Sequence, residues 1–284
     1  MSDVSARIHA LHVYPVKSCA GIALPQAVLT ETGLDLDRAW MLVDEEGRFV
    51  SQRVLPRMAL IRPQLKTYEM VLCAPGMLAL HVAIDAVEMP ARVRVWDDEV
   101  PAYDMGDLAA QWFSDFLGRP LRMVRFDPDH RRLSNPRWTG EVEALNQFSD
   151  GFAILVTSRA ALDELNTRLA AAGHGAVTME RFRPNLVLDG IAAHDEDRLD
   201  TLRIATDTGE ITLKLVKPCA RCPIPNIDPA TAQSHPAVGD TLQAYRKDPR
   251  LDGAITFGMN AIVTGGIDQL LAVGQQVSAD YVFA

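Results

Sequence analysis

The residues best equipped for chemistry in this chain are two thiols in Lys217-Pro218-Cys219-Ala220-Arg221-Cys222-Pro223. A thiolate is both a nucleophile and a soft metal ligand, and Lys217 and Arg221 favour the ionised form electrostatically. Three chemistries compete for the pair. A closed zinc or iron–sulfur site normally takes four protein ligands. The chain has no second C-x-x-C and no H-x3–5-H, and Cys19 and Cys73 lie in distant, differently patterned stretches. A thioredoxin-like dithiol opens a helix within a βαβ unit, whereas this pair follows an alternating strand pattern and precedes Pro223 and Pro225. The third chemistry is one cysteine binding a metal whose other ligands belong to a cofactor. Two buried thiols packed as small hydrophobes is the plain alternative to all three.

Two further constellations suit an anionic ligand. Arg181-Phe182-Arg183-Pro184-Asn185 opens a strand that ends at Asp189-Gly190. Arginine offers planar paired donors for phosphate, and asparagine offers a donor and an acceptor to a heterocycle edge. In Val13-Tyr14-Pro15-Val16-Lys17-Ser18-Cys19-Ala20-Gly21, the Lys17-Ser18 turn presents an ammonium, a hydroxyl and free backbone N–H groups, a set that suits phosphate. Arg38 follows in Gly33-Leu34-Asp35-Leu36-Asp37-Arg38-Ala39-Trp40; its plain reading is a surface ion pair with Asp35 or Asp37. Asp228, before Pro229, reads equally well as the cap of a turn.

The elements that must hold these residues are mostly strands. Arg7 to Tyr14 reads as one, and Trp40-Met41-Leu42-Val43 leads through a Gly47-bearing turn into Arg48-Phe49-Val50 as a hairpin. Leu108, Trp112, Phe113, Phe116 and Leu117 predict a helix between Gly106 and Gly118, capped by Asp107 and closed by Gly118. Six arginines (119, 122, 125, 131, 132 and 137) among Asp127-Pro128-Asp129 and Asn135-Pro136 suggest a linker. They are either a solvated connector or, in part, the lining of an anionic pocket between domains. Ser158 to Ala172 predicts a second helix, with Leu162, Leu165 and Leu169 on one face. Phe182–Gly190 and Thr208–Lys217 read as strands, the tail from Phe257 to Phe283 as short strands and turns.

Composition bounds the class. The 284 residues carry 28 Lys+Arg against 37 Asp+Glu, a net charge of −9, with 48% apolar and 23% charged residues. That is globular composition, and the acidic balance argues against a nucleic-acid partner. Four cysteines in this length are no disulfide scaffold, so a reducing, cytoplasmic setting is expected. The N-terminus shows no secretory signal, and no apolar run approaches the about 20 residues of a membrane span.

Taken in order, V-Y-P-V-K-S-C-A-G, G-L-x-x-D-R-A-W-M, R-F-R-P-N-L-V-L-D-G, K-P-C-A-R-C, L-Q-A-Y-R and F-G-M-N are specific as a set. The chain resembles MOSC-domain proteins that carry a MOSC N-terminal β-barrel domain, and is similar to the bacterial YcbX-like proteins and the mitochondrial amidoxime-reducing component. The resemblance runs from about Arg7 onward. It implies a β-rich α+β fold, with a small N-terminal β-barrel-like domain (residues 1–125) followed by a MOSC β-barrel domain with peripheral helices (residues 126–284). It also implies an oxidoreductase that uses the molybdenum cofactor (Mo-molybdopterin) to reduce small N-hydroxylated compounds such as hydroxylamino bases and amidoximes. By family position the metal ligand is Cys222. The matching cofactor-binding positions are Lys17, Ser18, Arg38, Arg183, Asn185 and Asn260, with Asp150 and Gly151 as further candidates by position. Arg221 completes a basic pocket on chemical grounds. YcbX-like proteins often add a ferredoxin domain, but these 284 residues contain neither its C-x4-C-x2-C set nor a G-x-G-x-x-G motif. Electrons are therefore expected from a separate ferredoxin- or flavoprotein-type partner. Two other functions remain open: a non-catalytic carrier of molybdenum cofactor or sulfane sulfur, and a zinc or dithiol C-x-x-C module.

Overall fold

The structure is a computed structural model that describes residues 2–87 and 89–282. Its centre is a closed barrel of seven strands. Around the barrel run Ile154–Ser158, Leu186–Asp189, Val4–Val13, Gln276–Ala279, Thr201–Thr206, Gly209–Ala220 and Ala254–Gly265, which returns to Ile154–Ser158. Closure removes the open edges a sheet would otherwise expose.

The first strand shows how sequence sets this geometry. Val4, Ala6 and Ile8 are buried at even positions, then Leu11 and Val13 at odd ones. Alternation alone forbids that switch, because side chains in a strand change face at every residue. The pairing with Leu186–Asp189 slips between Ile8 and Ala10, and this bulge keeps the apolar set pointing inward. Val4–Val13 lies in the first expected domain yet is a stave of the second domain's barrel, so the two halves of the chain share this sheet.

A second sheet pairs Trp40–Val43, Arg122–Phe126, Asp98–Asp104 and Met89–Val95 in that order. Beside it lies a three-stranded sheet of Arg62–Leu65, Glu69–Cys73 and Leu80–Ala83. Helix Asp107–Leu117 buries Trp112, Phe113, Phe116 and Leu117 in the shared apolar cluster. The β-rich α+β class is as expected, with two successive β units and four α-helical segments among the described residues. No helix among the described residues is long and apolar enough to cross a membrane.

Several local expectations change. Gly106, at φ +85°, is the N-cap of the first helix; Asp107 is its first residue, and Asp104 Oδ1 accepts the Gly106 N–H at 2.8 Å. Leu108 faces solvent. The arginine-rich stretch is not a solvated connector throughout. Arg122–Phe126 is a central strand, Arg122 pairs with Asp104, and Arg132 is buried. The tail opens with one 12-residue strand, Ala254–Gly265, that runs through Gly258 at φ +79°. A Cβ there would stand 2.5 Å from Val156 O, so glycine is needed inside the ladder and not at a turn. A further helix, Ala237–Tyr245, has no side-chain cap and carries Gly239 in its interior.

Candidate functional site

One cleft at the rim of the barrel gathers residues from across the sequence. Lys17, Ser18, Arg38, Asp150, Gly151, Arg183, Asn185, Arg221, Cys222 and Asn260 all line it, together with Cys219, Arg53, Phe152 and Phe182. Every residue expected at the site is therefore in one place.

The cationic wall is built on Tyr14, whose ring is fully buried. The guanidiniums of Arg38 and Arg183 each lie 4.3 Å from its centroid. Both arginines take left-handed backbone angles, φ +54° and +58°, uncommon for residues with side chains. Arg38 pairs with Asp37, donates to Asn185 Oδ1 at 3.0 Å and to the Arg183 carbonyl at 3.1 Å. The pair is the one foreseen for Arg38, but it is buried and not on the surface. Arg183 donates to the Cys19 carbonyl at 2.5 Å and has no carboxylate partner among the described residues. Burial, then the Arg38 charge beside it, pulls the Arg183 guanidinium down to about 10. Two cations thus share one aromatic ring with a single carboxylate between them.

Asn185 was expected to read a heterocycle edge; its amide lines the cleft with Oδ1 and one N–H already engaged. Oδ1 accepts from Arg38 and, at 3.1 Å, from Leu155 N–H, while Nδ2 donates to the His12 carbonyl at 3.2 Å. Its part in the cleft is to hold Arg38 in position. Lys17 is similarly engaged: buried, it donates to the Phe148 carbonyl at 2.7 Å and to Asp150 Oδ1 at 2.5 Å. Burial pushes the Lys17 ammonium below its ordinary value. Burial pushes the Asp150 carboxyl up, but Lys17, Arg53 and the Trp96 indole hold it well below the usual carboxylate range. Lys17 and Asp150 together fix the segment ahead of Gly151. Ser18, at φ +67°, lines the same cleft.

The thiol wall follows from the Gly209–Ala220 strand. Ile211, Leu213 and Leu215 point inward in regular alternation. The ladder then slips at Leu215/Lys217 and again at Pro218/Ala220. Proline has no N–H to give a ladder, so the strand loosens at the C-x-x-C and delivers it to the rim. Arg221 donates to Cys219 Sγ at 2.9 Å and to the Phe182 carbonyl at 2.9 Å, while its Nε is buried without a partner. Asn260 donates to the Lys217 carbonyl at 3.2 Å, bracing the strand before the cysteines. Arg181 does not line the cleft. It ties down the following turn through Pro225 O at 3.2 Å and Asp228 at 3.0 Å. Asp228 accepts Ala230 N–H at 2.8 Å, the capping role read from its place before Pro229.

All four cysteines are free. Cys19 is sealed in the core, where burial pushes its thiol up to about 12, and serves as packing. No three His, Cys, Asp or Glu side chains converge as a metal cluster among the described residues. Sequence reasoning missed Arg53 and Phe182 as walls of the cleft and Tyr14 as the buried ring behind it. The positive φ of Arg38 and Arg183, which brings them onto Tyr14, leaves no compositional trace.

Family models match both parts of the chain. The MOSC N-terminal beta barrel domain matches residues 5–120, and the MOSC domain residues 144–278. The rat mitochondrial amidoxime reducing component 2 is 33% identical over 248 residues, 82% of this chain and 70% of that protein. The human mitochondrial amidoxime-reducing component 1 is 34% identical over 251 residues, 84% of this chain and 72% of that protein. The human molybdenum cofactor sulfurase is 28% identical over 287 residues, 94% of this chain but 31% of that longer protein. With both domains in sequence and relatives above 30% identity over most of its length, the chain belongs to the MOSC-domain family that includes the amidoxime-reducing components.

Proposed function

We propose that the chain is a molybdenum cofactor enzyme that reduces small N-hydroxylated compounds, with Cys222 as the protein's ligand to the metal. The observation that carries this reading is that one cleft joins a surplus of fixed cation at Arg38 and Arg183 to a free thiol at Cys222. A phosphorylated pterin whose dithiolene carries a metal needs that pair of features: buried positive charge for the phosphate and a soft ligand for the metal. The orphaned Arg221 Nε adds a donor, and the Ser18 hydroxyl lines the same cleft.

In this reading Arg38, Arg183 and Ser18 hold the phosphate, and Arg221 and Asn260 flank the pterin. Asn185 and Lys17 act by positioning Arg38 and the 148–151 segment. When bound, the cofactor supplies the two-electron chemistry that takes oxygen from the substrate nitrogen. The protein's own work is orientation and electrostatics. Arg221, anchored on the Phe182 carbonyl, fixes Cys219 Sγ and thereby the turn that presents Cys222. Electrons come from a separate ferredoxin- or flavoprotein-type donor, and the four free cysteines suit a reducing compartment.

A carrier of molybdenum cofactor is the second reading, favoured by the 28% identity with a molybdenum cofactor sulfurase over 94% of this chain. Turnover separates the two. The loaded protein is expected to reduce a hydroxylaminopurine with an artificial electron donor. Full molybdenum loading without turnover on a panel of N-hydroxylated compounds would decide for the carrier.

A further inference from the structure

A broad groove opens on the other side of Cys222. It shares Cys222, Arg221, Asp150 and Gly151 with the cleft and continues past Trp96, Asp97, Leu133 and Pro136. Cys222 therefore sits where the cleft and the groove join.

Arg53, Arg132 and Arg221 line the groove, and of these Arg132 is not available to an anion. Arg132 is buried and donates to Asp98 at 2.9 Å, to Asn146 Oδ1 at 2.8 Å and to the carbonyls of Gln147 and Ser149 at 2.6 and 2.8 Å. Asp98 is taken up by Arg132, so the charges left along the groove are Arg53, Arg221 and the exposed Asp97.

Trp96 stands out within this groove. It sits at the first central position of the two-residue turn between Met89–Val95 and Asp98–Asp104, at φ +56°. Glycine or asparagine is the ordinary occupant of such a position, and a bulky ring there is a backbone outlier of the kind that collects at ligand sites. The ring is nevertheless 47% exposed. It is also locked in orientation. Its Nε1 donates to Asp150 Oδ1 at 3.2 Å, Phe49 meets it edge-on at 5.0 Å, and Arg53 lies 4.7 Å from its centroid. A strained, exposed and oriented indole beside the candidate metal ligand is built to receive a ring.

We propose that this groove seats the substrate and that Trp96 is the platform on which a planar ring of the substrate stacks, making it a specificity-determining residue. The inference rests on the reductase reading. It assigns a preference for N-hydroxylated compounds attached to an aromatic or heteroaromatic ring over their aliphatic counterparts.

The test compares benzamidoxime with acetamidoxime on molybdenum-loaded protein and an artificial donor. Trp96→Ala is expected to lower kcat/KM for benzamidoxime about tenfold relative to acetamidoxime, mainly through KM, with molybdenum content retained. Trp96→Phe should restore most of the difference. An equal loss on both substrates, or no loss on either, overturns the proposal. If the wild-type protein reduces neither compound, the reductase reading fails instead, and the groove is then tested by calorimetric titration with benzamidine and acetamidine. Ring-selective binding that Trp96→Ala removes and Trp96→Phe keeps upholds the platform; unselective binding, or none, overturns it.

Discussion

Two buried charged regions of this molecule handle the cost of burial in opposite ways. Beneath the cleft, Arg38 and Arg183 crowd one tyrosine ring with a single carboxylate partner, Asp37. Around residues 194–197, by contrast, Glu196 is fully buried and pushed up to about 7 by that burial. His194 is buried with neither ring nitrogen hydrogen-bonded and its Nε2 3.7 Å from Glu164, and burial pulls it down to about 4. The sealed groups escape the penalty by exchanging protons and becoming neutral near physiological pH. A guanidinium has no such escape at neutral pH, so surplus arginine charge is tolerable where a cleft can admit an anion. The difference supports the proposed reading of the first region as a binding site, with the second as scaffold.

Removing one cation at a time gives the sharpest contrast. Arg38→Met strands Asp37, whose side chain is 2% exposed, and is expected to cost about 3–5 kcal/mol of folding stability by chemical denaturation. A loss below about 1 kcal/mol would mean that Asp37 is satisfied without Arg38.

The scaffold region is tested through pH. Folded Glu196 keeps its proton between its ordinary 4.5 and about 7 while the unfolded chain loses it, so its contribution to stability falls as pH rises through that window. His194 acts oppositely: folded, it stays neutral between about 4 and its ordinary 6.5, so its contribution falls as pH drops through that window. Across the overlap the two slopes offset one another. Glu196→Gln removes the first, worth up to about 3 kcal/mol for a shift of this size. Its stability should climb from pH 4 to 6.5 more steeply than wild type. Parallel pH profiles would show that Glu196 does not titrate in this range.

The smallest effect on folding belongs to Arg183→Met. It has no carboxylate to strand and relieves repulsion on Arg38, so the cofactor-free protein is expected to stay within about 1 kcal/mol of wild type. Cofactor retention should nevertheless fall at least tenfold. Loss of stability together with unchanged retention would place Arg183 among the structural arginines and break the comparison.

The sequence displayed some of this more readily than the rest. The Arg159–Ala171 helix and the inward face of Gly209–Ala220 follow from periodicity, because each buries one regular stripe. The barrel's closure was hidden: Val4–Val13 meets Leu186–Asp189 and Gln276–Ala279, partners far away in the chain, through a bulge that no alternation pattern records. The helix Ala237–Tyr245 went unread because it lacks a capping side chain. In the cleft, residue types pointed to the Cys219/Cys222 pair and to Arg183, while the family resemblance singled out Cys222 and Arg38. They did not reveal that Asn185 accepts from Arg38, nor that Arg132 braces the groove from within a stretch that reads as a charged connector.

The account rests on Cys222 holding a metal within a cofactor fixed by the cationic wall. Metal analysis with pterin fluorescence on purified wild type, Cys222→Ser and Cys73→Ser tests this most directly. The prediction is stoichiometric molybdenum with pterin in wild type and Cys73→Ser, and loss of molybdenum in Cys222→Ser with folding stability within about 0.5 kcal/mol of wild type. Molybdenum retained in Cys222→Ser, or stoichiometric zinc without pterin in wild type, would contradict it.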